Sequence, residues 1–118
     1  MNNIVEKGWG REIIFVNNDM YCGKLLCFDK AGSKGSMHFH RKKTETWYVQ
    51  SGSFCVWYLN TMTASKYAYE LNKGDTWTNE VCEPHQLEAL EDNSVIFEVS
   101  TPDDPRDSYR VEKGDSQS

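Results

Sequence analysis

Short β-rich runs follow one another along the chain, and turn-forming residues separate them at regular intervals. Runs 12–16 and 21–28 are rich in apolar and aromatic residues, and Asn17-Asn18-Asp19 lies between them. No stretch keeps the 3.6-residue periodicity of an amphipathic helix. Further runs of this kind are 37–40, 44–50, 53–58, 67–71, 76–78, 85–90 and 95–100. Many short strands separated by Gly, Asn and Asp turns predict an all-β antiparallel sandwich or barrel.

Length and charge narrow the function classes. With 118 residues the chain forms one domain, large enough to bury a core without disulfides or metals as staples. Its formal net charge of -5 excludes binding to nucleic acid through a basic stripe. We interpret the one basic cluster, Arg41-Lys42-Lys43, as a solvated turn between two strands.

The cysteine spacing and the sequence of the N-terminal segment predict a reducing compartment. The four cysteines, Cys22, Cys27, Cys55 and Cys82, have neither CxxC spacing nor the density of a disulfide framework. The first six residues contain no apolar signal-peptide core, and no apolar run approaches the length of a membrane span. We therefore expect free thiols and a cytoplasmic protein.

Two histidines and a glutamate lie between two glycines in the arrangement Gly32-x5-His38-x-His40-x4-Glu45-x6-Gly52. Alternate side chains of a strand share one face, so His38 and His40 point the same way. The polar stretch before Glu45 turns the chain into an antiparallel neighbouring strand. Two imidazoles and a carboxylate that converge from adjacent strands are a donor set for a divalent metal.

His85, the remaining histidine of the chain, is the candidate for a fourth ligand. A different interpretation of the same residues is that the histidines pack or lie at the surface. On that interpretation Glu45 is a solvated charge beside the basic triplet.

The segment 32–52 resembles the first motif of the cupin superfamily at every signature position, and Gly74 and His85 fit its second motif. Three positions depart from the second motif, namely Glu80, Cys82 and Ala89. The resemblance implies an antiparallel cupin jelly-roll barrel, also called a double-stranded β-helix. It also implies one divalent metal ion (Zn, Mn, Fe, Ni or Co) held by His38, His40, Glu45 and His85.

The rest of the chain is similar, in order, to small cupin domains at the end of mannose-1-phosphate guanylyltransferases and bacterial mannose-6-phosphate isomerases. The segments that carry this similarity are 6–12, 40–49, 100–104 and 109–112. The isomerases usually carry Gln where His38 stands, and their tyrosine-glycine-arginine ending is absent here. We expect a single cupin domain over residues 1–118, in which 102–118 is a closing segment with a partly disordered tail.

The resemblance also implies roles for residues around the metal. The candidates for proton transfer or for contacts with phosphate and hydroxyl groups are Glu98, Arg110 and Lys24. Counting by two along the strands places Trp47 and Val49 on the face of Glu45, and Leu87 and Ala89 on the face of His85. The residues expected to line the substrate pocket are Trp47, Leu87 and Arg11. Glu98 is either a buried base, a residue that orients a ligand, or an exposed carboxylate at a sheet edge.

Four functions follow, in order of preference. The first is a metal-dependent cupin that acts on a sugar or sugar phosphate, as a mannose-6-phosphate isomerase-like enzyme. The others are an iron-dependent dioxygenase, a non-catalytic module that binds metal or sugar, and a barrel that a metal only braces. The expected partner is a small molecule, with no nucleic acid and no membrane. A homodimer is expected, with segment 2–9 as an edge or exchanged strand.

Overall fold

The computed structural model describes residues 3–118, which form eleven β-strands and one 3₁₀ helix. The strands are β1 (Asn3–Lys7), β2 (Gly10–Asn17), β3 (Cys22–Phe28), β4 (Met37–Phe39), β5 (Glu45–Ser51), β6 (Ser53–Asn60), β7 (Ser65–Asn72), β8 (Thr76–Asn79), β9 (His85–Ala89), β10 (Ser94–Ser100) and β11 (Tyr109–Glu112). The 3₁₀ helix is Asp115–Gln117.

Two antiparallel sheets pack face to face. The six-stranded sheet has the order β1-β2-β3-β10-β5-β8, and the five-stranded sheet has the order β11-β4-β9-β6-β7. Strands distant in sequence are neighbours in both sheets, as in a jelly roll, where the chain crosses repeatedly between the two layers. The prediction of an all-β antiparallel jelly-roll barrel is confirmed.

The core lies between the sheets because strand residues alternate between the inner and outer faces. In β5, the buried positions are Glu45, Trp47 and Val49, and the residues between them are more exposed. Phe28 stacks on Trp9 at 4.2 Å between ring centroids and meets Phe54 edge to face at 5.2 Å. The buried apolar cluster comprises Trp9, Leu26, Phe28, Trp47, Val49, Phe54, Val56, Leu71, Leu87, Ala89 and Ile96.

Two tight turns explain what the motif positions require of the backbone. Gly52, between β5 and β6, has φ +71°, and a Cβ atom there would collide with Ser94. Cys82 occupies a position where the second cupin motif has glycine, and its φ is still +63°. A left-handed conformation costs a non-glycine residue about 1–2 kcal/mol. Cys82 therefore adopts a backbone conformation that glycine, the residue of the motif, adopts at lower cost.

The C-terminal 3₁₀ helix contacts two loops from the first third of the chain. The N–H of Gly8 donates to Ser116 Oγ at 3.0 Å, and the N–H of Lys34 donates to Asp115 Oδ2 at 2.9 Å. The tail that was predicted to be partly disordered contains this 3₁₀ helix. Side chains of the helix accept hydrogen bonds from backbone N–H groups of two distant loops. Strand β1 occupies the edge of the six-stranded sheet. Asn2, the first residue of the predicted edge segment, lies outside the described residues.

All four cysteines are free. Within residues 3–118, no helix is both long and apolar enough to cross a membrane.

Candidate metal centre

Three histidines converge at the wall of the five-stranded sheet. His38 on β4 lies directly opposite His85 on β9 in the strand register, and His40 follows the end of β4. One ring nitrogen from each histidine lies within 4.8 Å of those of the other two. Strand alternation thus places the predicted pair His38 and His40 on one face, and strand pairing adds His85.

Each imidazole is oriented by a backbone carbonyl that faces its Nδ1 atom. The contacts are His38 Nδ1 to Ser36 O at 3.0 Å, His40 Nδ1 to Asp107 O at 2.6 Å and His85 Nδ1 to Glu83 O at 2.8 Å. A carbonyl only accepts hydrogen bonds, so each Nδ1 carries the proton and donates it. In a neutral imidazole the lone pair is then on Nε2. This is how proteins orient histidines that bind metals.

The Nε2 atoms of His40 and His85 are buried and have no hydrogen-bond partner. Buried polar atoms without a partner are rare in proteins and call for an explanation. Burial, reinforced by the neighbouring histidines, lowers the pKa of His38 to about 3, which keeps its imidazole in the neutral form that binds metals. Three convergent lone pairs of this kind fit a divalent metal ion, with the three histidines as ligands.

Glu45 begins β5 and brings a carboxylate to the same point. Oε1 of Glu45 lies 3.4 Å from His40 Nε2, and Oε2 lies 3.4 Å from His85 Nε2. Asn79 Nδ2 donates to Oε2 at 3.1 Å. Burial alone would raise the pKa of Glu45, but His40, His85 and Lys43 hold that pKa well below its ordinary value. The side chain is therefore an anion, and it fits the predicted fourth ligand.

Burial disfavours the charged form of His40, but the carboxylate of Glu45 raises the pKa of His40 above its ordinary value. A metal ion at this site therefore competes with a proton for the His40 imidazole.

A cavity of about 640 Å³ lies between the sheets beside the histidines. Its walls include Trp47 and Leu87, two of the three residues predicted to line a substrate pocket. Other apolar residues of the wall are Val5, Trp9, Ile14, Leu26, Phe28 and Pro105. Apolar walls with a few convergent polar groups are typical of a small-molecule site.

Arg11, the third residue predicted in the pocket, is not in the cavity wall. Its guanidinium lies 3.5 Å from Asp29 at the surface. Its neighbour Glu12 lines the cavity instead, because adjacent residues of a strand face opposite sides of the sheet. The structure therefore does not bring Arg11 to the cavity with Trp47 and Leu87.

Two buried lysines line the cavity and pair with carboxylates. Lys24 and Lys43 are each only 5% exposed. Lys24 Nζ lies 3.1 Å from Glu12 and 3.2 Å from Asp103. Lys43 Nζ contacts three carboxylates, those of Asp103 at 2.9 Å, Glu45 at 3.2 Å and Glu98 at 3.4 Å. The interpretation of residues 41–43 as a solvated turn is therefore wrong for Lys43, whose ammonium lies in a buried acidic environment.

Glu98 lies on the inward face of β10 and is 4% exposed, so it is not the exposed edge carboxylate of the sequence alternatives. Trp47 Nε1 donates to Glu98 Oε1 at 3.0 Å. The second oxygen, Oε2, is buried without a hydrogen-bond partner, and Lys43 Nζ lies 3.4 Å from it. Burial raises the pKa of Glu98, and the charge of Glu45 adds to that effect.

Arg110 lies on β11, directly opposite His38 in the strand register, and lines the cavity from an exposed position. Among the cavity cations in residues 3–118, it differs from Lys24 and Lys43 in having no carboxylate within ion-pairing distance.

Two supporting residues were missed by sequence reasoning. Asp107 accepts the backbone N–H groups of Arg41, Lys42 and Lys43, and its carbonyl accepts His40 Nδ1. The other is Asn79, which holds Glu45. No motif pointed to Asp107, since it lies in an irregular loop far along the chain.

The buried pairing of Asp103 predicts a pH-dependent contribution to stability. Burial would raise the pKa of Asp103, but Lys43 and Lys24 lower it below the ordinary value of 3.8. A carboxyl with a lowered pKa in the folded state stabilises the fold above its ordinary pKa, and the contribution disappears as the pH falls through the folded-state pKa. We expect Asp103→Asn to be destabilised at pH 7, with a difference from wild type that shrinks below about pH 4.

Urea unfolding between pH 2.5 and 7 measures this difference. Asp29→Asn, which alters an exposed ion pair with Arg11, is the control and is expected to show little difference at any pH. A deficit in Asp103→Asn that stays constant down to the lowest pH would contradict the argument.

Two packed antiparallel sheets in jelly-roll order, with a histidine cluster in the cavity between them, define the chain as a protein of the cupin fold. Solved structures support this class. CapF from Staphylococcus aureus, a capsular polysaccharide assembling protein, matches with a TM-score of 0.81 and 20% identity over 95% of this chain. KdgF from Halomonas sp. matches with a TM-score of 0.69 and 23% identity over 81% of this chain and 81% of its own.

Oxalate decarboxylase from Bacillus subtilis matches with a TM-score of 0.75 and 21% identity over 94% of this chain and 30% of its own. The present chain spans about a third of the CapF chain, 33% of its length. No protein-family model and no curated protein matches the sequence. At these identities the likeness establishes the fold, and the similarity to mannose-6-phosphate isomerases stays a prediction.

Proposed function

We propose that this protein is a metal-dependent cupin that binds and converts a small sugar or sugar phosphate. The observation that carries the proposal is the convergence of three histidines beside a cavity. Their Nδ1 atoms are held by backbone carbonyls, and one ring nitrogen of each lies within 4.8 Å of those of the other two. Buried ring nitrogens without a hydrogen-bond partner are rare in proteins, and a bound metal ion would supply the missing partner of His40 Nε2 and His85 Nε2.

The ligands of the metal in this proposal are His38, His40, His85 and Glu45. Nitrogen and oxygen donors in this ratio suit Zn, Mn, Fe, Ni or Co, and availability selects among them. A metal ion held there supplies Lewis acidity toward the oxygen atoms of a bound ligand.

The cavity chemistry favours a ligand with an apolar face and several hydroxyl groups. Trp47 and Leu87 offer apolar surface, and the carboxylates of Glu12 and Glu98 offer hydrogen-bond acceptors. A sugar ring has both kinds of surface. The description of CapF as a capsular polysaccharide assembling protein is in keeping with carbohydrate chemistry on this fold.

Arg110 is the partner we propose for a phosphate group. Lys24 was an alternative on sequence grounds, but its charge is already balanced by Glu12 and Asp103. A guanidinium without a carboxylate partner binds a phosphate through two parallel hydrogen bonds. An uncharged sugar would not need this contact.

The proposal is tested by measuring the metal content of protein purified without chelator, and then incubating it with mannose 6-phosphate and fructose 6-phosphate. We expect near one equivalent of divalent metal and interconversion of the two sugars. No metal after reconstitution would contradict the proposal. Metal without interconversion would move the assignment to a sugar-binding module, or to a dioxygenase if the protein consumes oxygen.

Arg110→Ala separates phosphate recognition from recognition of the sugar. We expect it to raise KM for the sugar phosphates and to leave metal content unchanged. Arg106→Ala is the matched control, because Arg106 pairs only with the neighbouring exposed Asp104. Equal KM values in the two variants would exclude Arg110 as the phosphate partner.

A homodimer in the cytoplasm remains part of this proposal. Strand β1 leaves one edge of the six-stranded sheet unpaired within the chain, and an unpaired edge can accept a strand from another molecule.

A further inference from the structure

We infer that the outer face of the six-stranded sheet is the surface through which two copies of this chain associate. This is the face turned away from the cavity, and on each strand its residues alternate with residues that point inward. The inference goes beyond the proposed function, because it holds whether or not the protein binds a metal or a sugar. It assigns the expected homodimer to this face instead of to the free edge of β1.

A row of residues that are paired directly with one another crosses all six strands on this face. Residues directly opposite each other in neighbouring strands share one face of the sheet. On β10, Phe97 lies between the buried residues Ile96 and Glu98, so it faces outward. The strand register continues this row to both edges of the sheet, as Ile4, Ile13, Leu25, Phe97, Tyr48 and Thr76. The middle of the face is therefore apolar or aromatic from β1 to β5.

A β-bulge brings a further aromatic ring onto this face. The register of β2 against β3 shifts around Phe15, and a Cβ atom at Gly23 would collide with the Phe15 ring. The ring therefore covers the backbone of β3 at a position without a side chain. Its centroid lies 5.4 Å from that of Phe97. Val99 on β10, directly opposite Gly23, continues the apolar surface on the other side.

These side chains are open to solvent in the single chain. Five of them are each between 37% and 55% exposed, namely Ile4, Phe15, Tyr48, Phe97 and Val99. Soluble monomers rarely expose a contiguous apolar patch larger than a few hundred Å², and larger patches mark interaction sites. The outer face of the six-stranded sheet therefore has the character of an interface.

The outer face of the five-stranded sheet is different. There, Trp57 Nε1 donates to Glu88 at 3.1 Å, and the ammonium of Lys66 lies 5.1 Å from the centroid of the Trp57 ring. Within residues 3–118, the row through Phe97 and the row through Val99 contain no charged side chain. The uncharged apolar surface thus belongs to one of the two sheets.

The charge of the chain favours a second copy as the partner. With a formal net charge of -5, two copies repel each other, so they associate best through a face that carries no charge. Within residues 3–118, this face has no basic cluster for an acidic partner or for anionic lipid headgroups. Arg11, at its rim, already pairs with Asp29 at 3.5 Å. A twofold axis through the face places the same apolar residues of both copies against each other.

The size of the face suits a stable dimer. Six strands about 4.8 Å apart, with three outward rows about 7 Å apart through Val95, Phe97 and Val99, cover roughly 600 Å². Polar residues at the rim, such as Gln50 and Thr78, extend the face toward the about 800 Å² that each partner of a standard interface buries. An apolar centre with a polar rim is the usual composition of an interface.

Two native cysteines test the inference without any substitution. Cys27 on β3 belongs to this face, whereas Cys55 on β6 lies on the outer face of the five-stranded sheet, and both are free and half-buried. Sedimentation velocity measures the oligomeric state over a concentration series. Mass spectrometry of peptides measures the rate of alkylation by an excess of maleimide. At about 100 times the dissociation constant, mass action should slow the alkylation of Cys27 about tenfold and leave that of Cys55 unchanged.

A matched pair of tyrosine variants tests the same face. Tyr48 lies on it, and Tyr67 on β7 of the other sheet has nearly the same exposure, 44% against 43%. We expect Tyr48→Glu to raise the dissociation constant about 100-fold or more, because a twofold dimer brings two new carboxylates into its apolar centre. Tyr67→Glu should dimerise like the wild type.

If Tyr48→Glu does not fold, as judged by circular dichroism, Val99→Lys serves as the second variant. Its side chain is more exposed than that of Tyr48, so the substitution disturbs the single chain less. It should weaken the dimer in the same way.

The outcomes separate this inference from the proposed function. A dimer in which Cys27 is alkylated as fast as in the monomer, or one that Tyr48→Glu and Tyr67→Glu weaken equally, would overturn the inference and leave a homodimer through β1 standing. A chain that stays monomeric at every concentration would overturn the inference and the homodimer, and would assign the face to a different partner. Neither result would change the metal content or the sugar chemistry of the proposed function.

Discussion

Replacing His85 by alanine is expected to abolish stoichiometric metal binding. His85 is almost fully buried, and within residues 3–118 its Nε2 has no hydrogen-bond partner, although Glu45 Oε2 lies 3.4 Å from it. Loss of a residue that only orients a metal ligand already costs about 10–100-fold in affinity, so loss of a ligand should cost more. Elemental analysis of the purified variant after dialysis against each divalent metal measures the stoichiometry.

Glu88→Gln is the control, because Glu88 lies on the same strand as His85 and outside the cavity. Its metal content should equal that of the wild type. A His85→Ala protein that is folded and still retains one equivalent of metal would exclude the three-histidine site. The same experiment on His38→Ala, His40→Ala and Glu45→Ala extends the test to the remaining ligands.

Asp107→Ala is expected to destabilise the fold by about 3 kcal/mol, since hydrogen bonds to a charged group contribute about 1.5–3 kcal/mol each and are not additive. The carboxylate of Asp107 accepts the N–H groups of Arg41 at 2.8 Å, Lys42 at 3.1 Å and Lys43 at 3.1 Å. Its removal leaves those donors without partners in the loop between β4 and β5. Urea unfolding at pH 7 gives the free energy of unfolding for the variant and the wild type.

Asp104→Ala is the control for this prediction. Asp104 lies in the same loop as Asp107, between β10 and β11. Within residues 3–118 its side chain pairs with Arg106 at the surface, so its loss should change stability little. Equal stability of Asp107→Ala and Asp104→Ala would show that the three N–H groups find water or other acceptors.

The sequence was sufficient to predict the parts of the fold and site that depend on local pattern. Strand alternation placed His38 and His40 on one face, and counting by two from Glu45 placed Trp47 and Val49 inside. Glycine at position 52 marked a turn that only a residue without Cβ fits. These inferences succeeded because a strand has a fixed two-residue period.

The parts that sequence reasoning missed depend on contacts between distant segments. Lys43 was interpreted as solvated because it ends a short basic triplet between two predicted strands. The acids that bury it lie on β5, on β10 and after β10. Asp107 and Asn79 have no recognisable spacing to the residues that they support, His40 and Glu45. Arg11 was misplaced because the sequence did not reveal which face of β2 meets the cavity.

The hydrogen bond between His40 and Asp107 joins residues that are 67 positions apart, and this separation has a consequence for the order of events in folding. Pairing of distant segments is slow, because the entropy of closing the loop is lost before the contact is gained. We therefore expect His40 to reach its final orientation late, together with the pairing of β11 with β4. Uptake of a metal ion by refolding protein should then follow the burial of the tryptophans, and metal capture would mark the last stage of folding.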